Sequence, residues 1–548
     1  MATELETNVM RRFCVGDVVK RRALNDAKVE ALVYSYKGKI TRRMTYEELN
    51  TESNRFANAI MGLGVKKGDR VAILARNCVE YIELMVACAK MGAWITPLNF
   101  ALKGVEITRL INHSESVMFV VEDELVDTVR EVAGEMPSVK HYVMINLSGE
   151  KPLPSGWLDF GELRSEKYSD EEPLVVINGD DVLTLMYTSG TEAMPKGVMN
   201  SHANWISTLS VFAVDFDIVP DNVLAGPIPI FHVAGHALVL LALQNRVNFV
   251  FQHLPIPQEL LQLIENEKVT WIGVPPTIFI NMLMLDIPNL DEYMRKVFGT
   301  VKRCLAFGAP MPEATMRRLM EILPEVYWMN YYGQSELSPL GTTLHHGDLL
   351  RKYKEANERF GGAEAIGQPV LGVEMNIVDD NNNLVPPGTV GEMVAKSPSV
   401  MMGYYKEEEK TEETFKGGWH HTGDLGLMDE ENFFYFVDRK KDIVKTGGEN
   451  VSSIEVEGWI TKYPKVSECT VVGLPHPRWF EGLAAFVVPR GGESIAEEEI
   501  IRHCKEGLAG YKVPKKVVIL SAIPKNPSGK ILKRELKEQY KDAFASEK

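Results

Sequence analysis

A chain of 548 residues is too long for one hydrophobic core, so two or more domains are expected, and its 45% apolar and 25% charged content is ordinary for globular protein. A net charge of −15 excludes a nucleic-acid binder, because a phosphate backbone demands a surface rich in Lys and Arg. Six cysteines are scattered with no C-x-x-C pair and no histidine at ligand spacing; they read as reduced, mostly buried thiols, which excludes a disulfide framework and a zinc site.

The first residues, "MATELETNVMRRFCVGDVV", lack the apolar run of a secretory signal. The most apolar stretch, "HALVLLALQ" (236–244), is far shorter than the roughly 20 residues a bilayer span needs. The final "SEK" is not a peroxisomal address, so a cytoplasmic protein with no integral membrane segment is expected. Peripheral membrane contact and a homodimer are left open.

Further along, "RVAILA" (70–75) reads as a strand, Asn77 as the cap of a helix "VEYIELMVACAKMG" (79–92), and "AWITPLN" (93–99) as a returning strand, which makes a βαβ unit. The strand "DVLTLMY" (181–187) runs straight into a loop of hydroxyls and glycine, "YTSGTEAMPKG". "VTWIGVPPTIFINML" (269–283) and "KRCLAFGAPMP" (302–312) repeat the strand-then-loop pattern. From about 370 the texture turns β-rich, with a hairpin in "EMNIVDDNNNLVPPGTVGEMVAKS" (374–397). A compact α+β tail follows: a helix near 454–461, strands at 469–474 and 484–489, a helix near 495–507 and a strand at 516–520. The charged stretch Asp438–Lys441 is the expected boundary, which gives domains at 1–438 and 439–548.

The loop at 187–197 combines Thr188, Ser189, Gly190 and Thr191 with Lys196, a set suited to phosphate, yet it does not follow G-x-x-x-x-G-K-[ST], because Gly197 follows the lysine. A P-loop kinase or GTPase is thereby disfavoured; taken alone, the loop has a second, less favoured reading as a Ser/Thr/Gly turn with a surface lysine.

Other segments give it a context. "YTSGTEAMPKG", "PIPIFHVAG" (227–235), "FGAPMP" (307–312), "NYYGQSE" (330–336), "WHHTGDLG" (419–426), "VDRKKDIVKTGGENVSSIEVE" (437–457) and "PKNPSGKILKREL" (524–536) stand in that order. They resemble the motifs of the adenylate-forming superfamily of acyl-CoA synthetases, nonribosomal adenylation domains and luciferases, closest to AMP-forming fatty acyl-CoA ligases. The resemblance implies an α/β fold. It has a large N-terminal domain of α/β layers with mixed sheets and a β-rich subdomain, and a smaller, mobile C-terminal α+β domain.

It also implies roles. Main-chain N–H groups and hydroxyls of Thr188, Ser189, Gly190 and Thr191 would cradle the β- and γ-phosphates of ATP, with Lys196 adding a point charge. Glu336 would be the Mg²⁺ carboxylate, with Thr191 beside it. Gly308, Ala309, Pro310, Asn330, Tyr331, Tyr332 and Gly333 would surround adenine, and Asp424 would accept both ribose hydroxyls. Arg439 would lie near ribose or phosphate, with Lys441, Gly447 and Gly448 in the hinge and the loop after it. His232 would lie by the acyl carboxylate and the incoming thiol of CoA. Lys530 would be the lysine that enters for adenylation, where charge builds on the α-phosphate and the attacking carboxylate.

The implied reaction joins a carboxylic acid to CoA through an acyl-adenylate. The small or apolar residues Val233, Ala234 and Gly235, and "WIGVPPT" (271–277), favour a fatty or alicyclic acid over acetate. Two other readings remain: loading of a carrier-protein thiol, and a luciferase-like oxygenase. The sequence departs from the family pattern at Glu192-Ala193, usually Thr-Gly, and at Phe480, commonly Gly.

Overall fold

The structure is a computed structural model that describes residues 3–188, 195–361, 363–440, 442–446, 449–525 and 531–545. The expected βαβ unit forms, with Arg70–Leu74 and Trp94–Leu98 parallel and joined by the helix Val79–Met91. That helix is buried on nearly every face, which explains a sequence too apolar for a surface helix. It ends at Gly92, whose φ of 74° is a left-handed conformation that costs glycine nothing.

Asn77 does not cap this helix. Cys78 holds the N-cap position without a side-chain bond. Asn77 instead turns inward, donating Nδ2 to the carbonyls of Ile228 (2.9 Å) and Gln252 (3.1 Å) and accepting the Ile230 N–H (2.8 Å). Three buried backbone partners outweigh the helix N–H groups a cap would have satisfied.

Two large sheets carry the residues before 440. An eight-stranded sheet centres on parallel apolar strands, and toward one edge, inside the short strand Gly403–Tyr404, lies the antiparallel pair Val182–Thr188 and Lys196–Ser201 flanking the hydroxyl-rich loop. A thirteen-stranded sheet contains six parallel strands in a row, including Trp271–Val274, Arg303–Phe307 and Tyr327–Tyr332. It continues without a break into the antiparallel strands Thr342–His345, Glu364–Pro369, Phe434–Arg439, His420–Met428, Gly391–Lys396 and Glu374–Val378. The β-rich region is therefore an extension of the main sheet, and Glu374–Val378 and Gly391–Lys396 form the expected hairpin.

From Val444 onward a separate five-stranded sheet forms, dominated by Val466–His476 against Phe480–Pro489, with helices Ser453–Ile460 and Glu497–Gly507 packed beside it. The tail's predicted elements are all present. Asp438, 2% exposed, ties the two parts together: its Oδ2 accepts the Ser453 N–H at 2.7 Å and the Ser453 hydroxyl at 2.8 Å. The fold is α/β, with a large domain of mixed sheets and a small one. All six cysteines are free and buried. Among the described residues no helix is long and apolar enough to cross a membrane.

Candidate active site

The carboxyl ends of parallel strands are where an α/β sheet leaves room for a ligand. Arg303–Phe307 ends in Gly308, whose φ of 80° opens the "GAPM" loop. Its neighbour Tyr327–Tyr332 carries Asn330, Tyr331 and Tyr332, in register Ala306 to Asn330 and Phe307 to Tyr331. The next turn holds Gly333, where an added Cβ would lie 1.8 Å from the Pro339 carbonyl oxygen, so only glycine fits.

Asp424 lies on His420–Met428, directly across from Arg439 on Phe434–Arg439. Its Oδ2 accepts the Tyr332 hydroxyl (2.7 Å) and Gln334 Nε2 (2.7 Å), and Oδ1 lies 3.7 Å from Arg439 Nε. Burial first, then the Asp424 charge, push the Tyr332 phenol well up, so it stays a proton donor to the carboxylate. Gln334 also donates to the Thr422 carbonyl. His420 Nε2 is 3.4 Å from Gln334 Oε1, and burial, then His421, hold His420 down to about 3, so it is neutral. Asp424 is thus a fixed hydrogen-bond acceptor.

His232 is the N-cap of the helix Val233–Gln244, and its Nδ1 accepts the Ala234 N–H at 3.3 Å. With Nδ1 accepting, the neutral ring carries its proton on Nε2. His232, Val233 and Ala234 line one apolar cavity together with Phe212, Phe216, Gly308 and Gly333. Tyr331 also faces this cavity; its hydroxyl donates to Pro339 O and its ring meets Phe212 and Phe216 edge-on. Gly235 is not in the wall: it packs against the backbone of Pro229. None of residues 271–277 lines this cavity; Trp271 lies behind it, against Phe216 at 5.9 Å between ring centres, and Ile272 and Val274 belong to the core on the other face of the sheet.

Thr188 and Lys196 face each other across the strand pair that flanks the hydroxyl-rich loop. Asn200 on the second strand donates to Ser335 O (3.1 Å) and Ser338 Oγ (2.6 Å), which draws the turn holding Glu336 to this edge. Glu336 Oε1 accepts the Tyr404 hydroxyl at 3.1 Å, and Lys196 Nζ lies 4.8 Å over the Tyr404 ring. Ser189, Gly190, Thr191, Glu192, Ala193, Lys441, Gly447, Gly448 and Lys530 lie outside the described residues.

Magnesium takes oxygen ligands and is satisfied by one or two carboxylates plus phosphate oxygens and water, so the oriented Glu336 carboxylate fits it. Among the described residues, two carboxylate clusters compact enough for a cation lie elsewhere. Each already holds a protein cation: Arg76 between Glu122 and Glu124, and Lys352 among Glu355, Asp429 and Glu431.

Several contributors escape a motif reading. Gln334 and His420 sit inside motifs as unassigned polar residues. Tyr404 lies outside them, and Phe212 and Phe216 show only as an i, i+4 apolar pair.

The strand ends bring the Gly308 loop, the Tyr332–Gln334–Asp424 cluster and the cavity at His232 into one region of the α/β frame. The chain belongs to the AMP-binding enzyme family: the family model matches residues 19–405, and that of the AMP-binding enzyme C-terminal domain matches 455–530. It is 34% identical over 529 residues to the long-chain-fatty-acid–CoA ligase FadD13 of Mycobacterium tuberculosis, across 96% of this chain and 98% of that one. It is 33% identical over 499 residues to a feruloyl-CoA synthase of Amycolatopsis sp, across 91% and 94%. The crystal structure of the anthranilate CoA ligase AuaEII in complex with anthranoyl-AMP shares the fold, with a TM-score of 0.86 over 97% of this chain and 98% of that one at 24% identity. Within its family the chain is one of the AMP-forming acid–thiol ligases.

Proposed function

We propose that this chain joins an apolar carboxylic acid, a medium- or long-chain fatty acid or an alicyclic one, to CoA through an acyl-adenylate. The observation that carries this reading is the shared cavity, in which His232, Val233 and Ala234 meet Gly308 and Gly333. An apolar acid seated among Phe212 and Phe216 would present its carboxylate where the nucleotide loop begins.

ATP and acid would give acyl-AMP and pyrophosphate, and the CoA thiol would then displace AMP. No enzyme nucleophile is needed, because positioning and charge suffice. Asp424 holds the ribose, while Lys196 and the hydroxyl loop hold the departing phosphates. Mg²⁺ on Glu336 would neutralise charge on those phosphates. His232 would donate from Nε2 to an acyl oxygen. Lys530 supplies the adenylation charge, and the small domain, residues 439–548, turns about 438–442 between the two half-reactions.

A screen of carboxylic acids for pyrophosphate release, with and without CoA, tests the reading. Acid-dependent release with AMP as product is expected; ADP and phosphate would sink it. Octanoate should exceed acetate in kcat/KM, since each buried CH₂ contributes ~0.8 kcal/mol. Equal values would remove the apolar-pocket argument.

A further inference from the structure

We propose that Glu364 is a specificity-determining positioning residue for the nucleotide base, setting the side-chain amide of Asn330 so that its oxygen is what the base meets. The proposal rests on the adenylating reading above, in which Asn330 belongs to the adenine site.

Glu364 opens the strand Glu364–Pro369 and belongs to none of the motifs. Its Oε1 accepts the Met311 N–H at 3.2 Å and Asn330 Nδ2 at 3.3 Å. Nδ2 also donates to the Ala365 carbonyl at 3.4 Å. An amide nitrogen has two hydrogens, so both are committed to this side and the carbonyl oxygen is left on the other. Asn330 is 2% exposed and sits in register with Ala306, next to the loop that starts at Gly308. One carboxylate oxygen therefore ties the base loop, through Met311, to the residue that reads the base.

An acceptor there complements the 6-amino group of adenine and opposes the 6-oxo group of hypoxanthine or guanine. A buried polar group that loses its partner discriminates strongly against the wrong ligand. Without Glu364 the amide can reverse and offer its NH₂ to an oxo base.

The test uses the full chain, with ATP and inosine triphosphate compared in acid-dependent pyrophosphate release. The wild type should prefer ATP. Glu364→Ala should narrow the ratio of the two kcat/KM values by roughly tenfold, the worth of about one hydrogen bond, mainly through KM for ATP and with KM for the acid unchanged. Glu364→Asp, which withdraws the oxygen by a methylene but keeps the charge, should narrow it too and serves if the alanine variant does not fold. Glu364→Gln should keep the ratio, because a single amide oxygen can accept both bonds. Equal losses for the two nucleotides in Glu364→Ala or Glu364→Asp would overturn the proposal and leave a structural role. A Gln variant that behaves like the Ala variant would overturn it in favour of a charge effect. A wild type that prefers ATP but shows no change in any variant defeats the role of Glu364 alone. A wild type that releases no pyrophosphate with any acid defeats the adenylating reading itself, and this proposal with it.

Discussion

Asp424, the proposed ribose acceptor, has one of its two oxygens already engaged by the protein. Tyr332 and Gln334 both donate to Oδ2, which leaves Oδ1 and its remaining lone pairs for the ligand. Gln334→Ala removes one donor without touching the charge, so KM for ATP should rise about fivefold to tenfold with kcat little changed, the loss of about one charge-assisted hydrogen bond. A fall confined to kcat would place Gln334 in the chemical step instead. Lys530→Ala should reduce acyl-AMP formation by a factor on the order of 10² or more, while thioester formation from pre-made acyl-AMP and CoA survives. Equal loss of both halves would make Lys530 a folding or binding residue. Glu364 carries a signature in pH as well: burial pushes its carboxyl up from 4.5 to about 7. The folded state holds this proton more tightly than the unfolded one. The stabilisation is therefore complete below about pH 4.5 and is lost as pH rises through about 7. Glu364→Gln cannot charge, so its Tm advantage over the wild type should grow between about pH 6 and pH 8. A difference that stays flat across that range would show that the carboxyl does not titrate there.

The segment 228–232, which delivers His232, is held by an element far away in sequence. Asn77 binds both Ile228 O and the Ile230 N–H. Asn77→Ala strands buried backbone groups, so it should lower stability by about 1–3 kcal/mol and raise KM for the acid, read by thermal melts and acid titration. Unchanged acid KM in a destabilised variant would separate the anchor from the pocket. Asn77 also marks what was legible in the sequence. A polar residue just before an apolar helix reads as a cap, because capping involves neighbours; its true partners are 151 and 175 residues further on. The strands Arg70–Leu74 and Trp94–Leu98 and the tail's elements were readable, since their apolar runs and turns are local signals. The cavity was half readable: Val233 and Ala234 lie in its wall, but Phe212 and Phe216 arrive from a different helix and its C-terminal end, and of residues 271–277 Trp271 packs behind it while none lines it. Which layer faces a ligand depends on how the sheet and helices stack, and no window of sequence contains that. The merging of the β-rich region with the main sheet depends likewise on pairing between Thr342–His345 and Glu364–Pro369.

Across the whole molecule, two half-reactions need different groups over one acyl carbon, and the proposed turn at 438–442 supplies them. Lys441→Pro fixes φ near −65° and removes an N–H, whereas Lys441→Ala removes only the charge. The proline variant should keep acid-dependent ATP–pyrophosphate exchange and lose most acyl-CoA production, and the alanine variant should keep both. Matching losses would assign the effect to the side chain. Asp438 gives this motion a further property. Its carboxylate grips Ser453 of the small domain, while its other oxygen accepts the N–H of Arg439, the cross-strand partner of Asp424. The proposed ribose site and the attachment of the small domain thus meet at two adjacent residues on one strand. In the proposed cycle, a nucleotide that draws on Asp424 and Arg439 would be an effector of domain orientation, and linkage would make the influence mutual. Whatever factor AMP applies to the balance between the two orientations, a chain held in one of them must return as a change in AMP affinity.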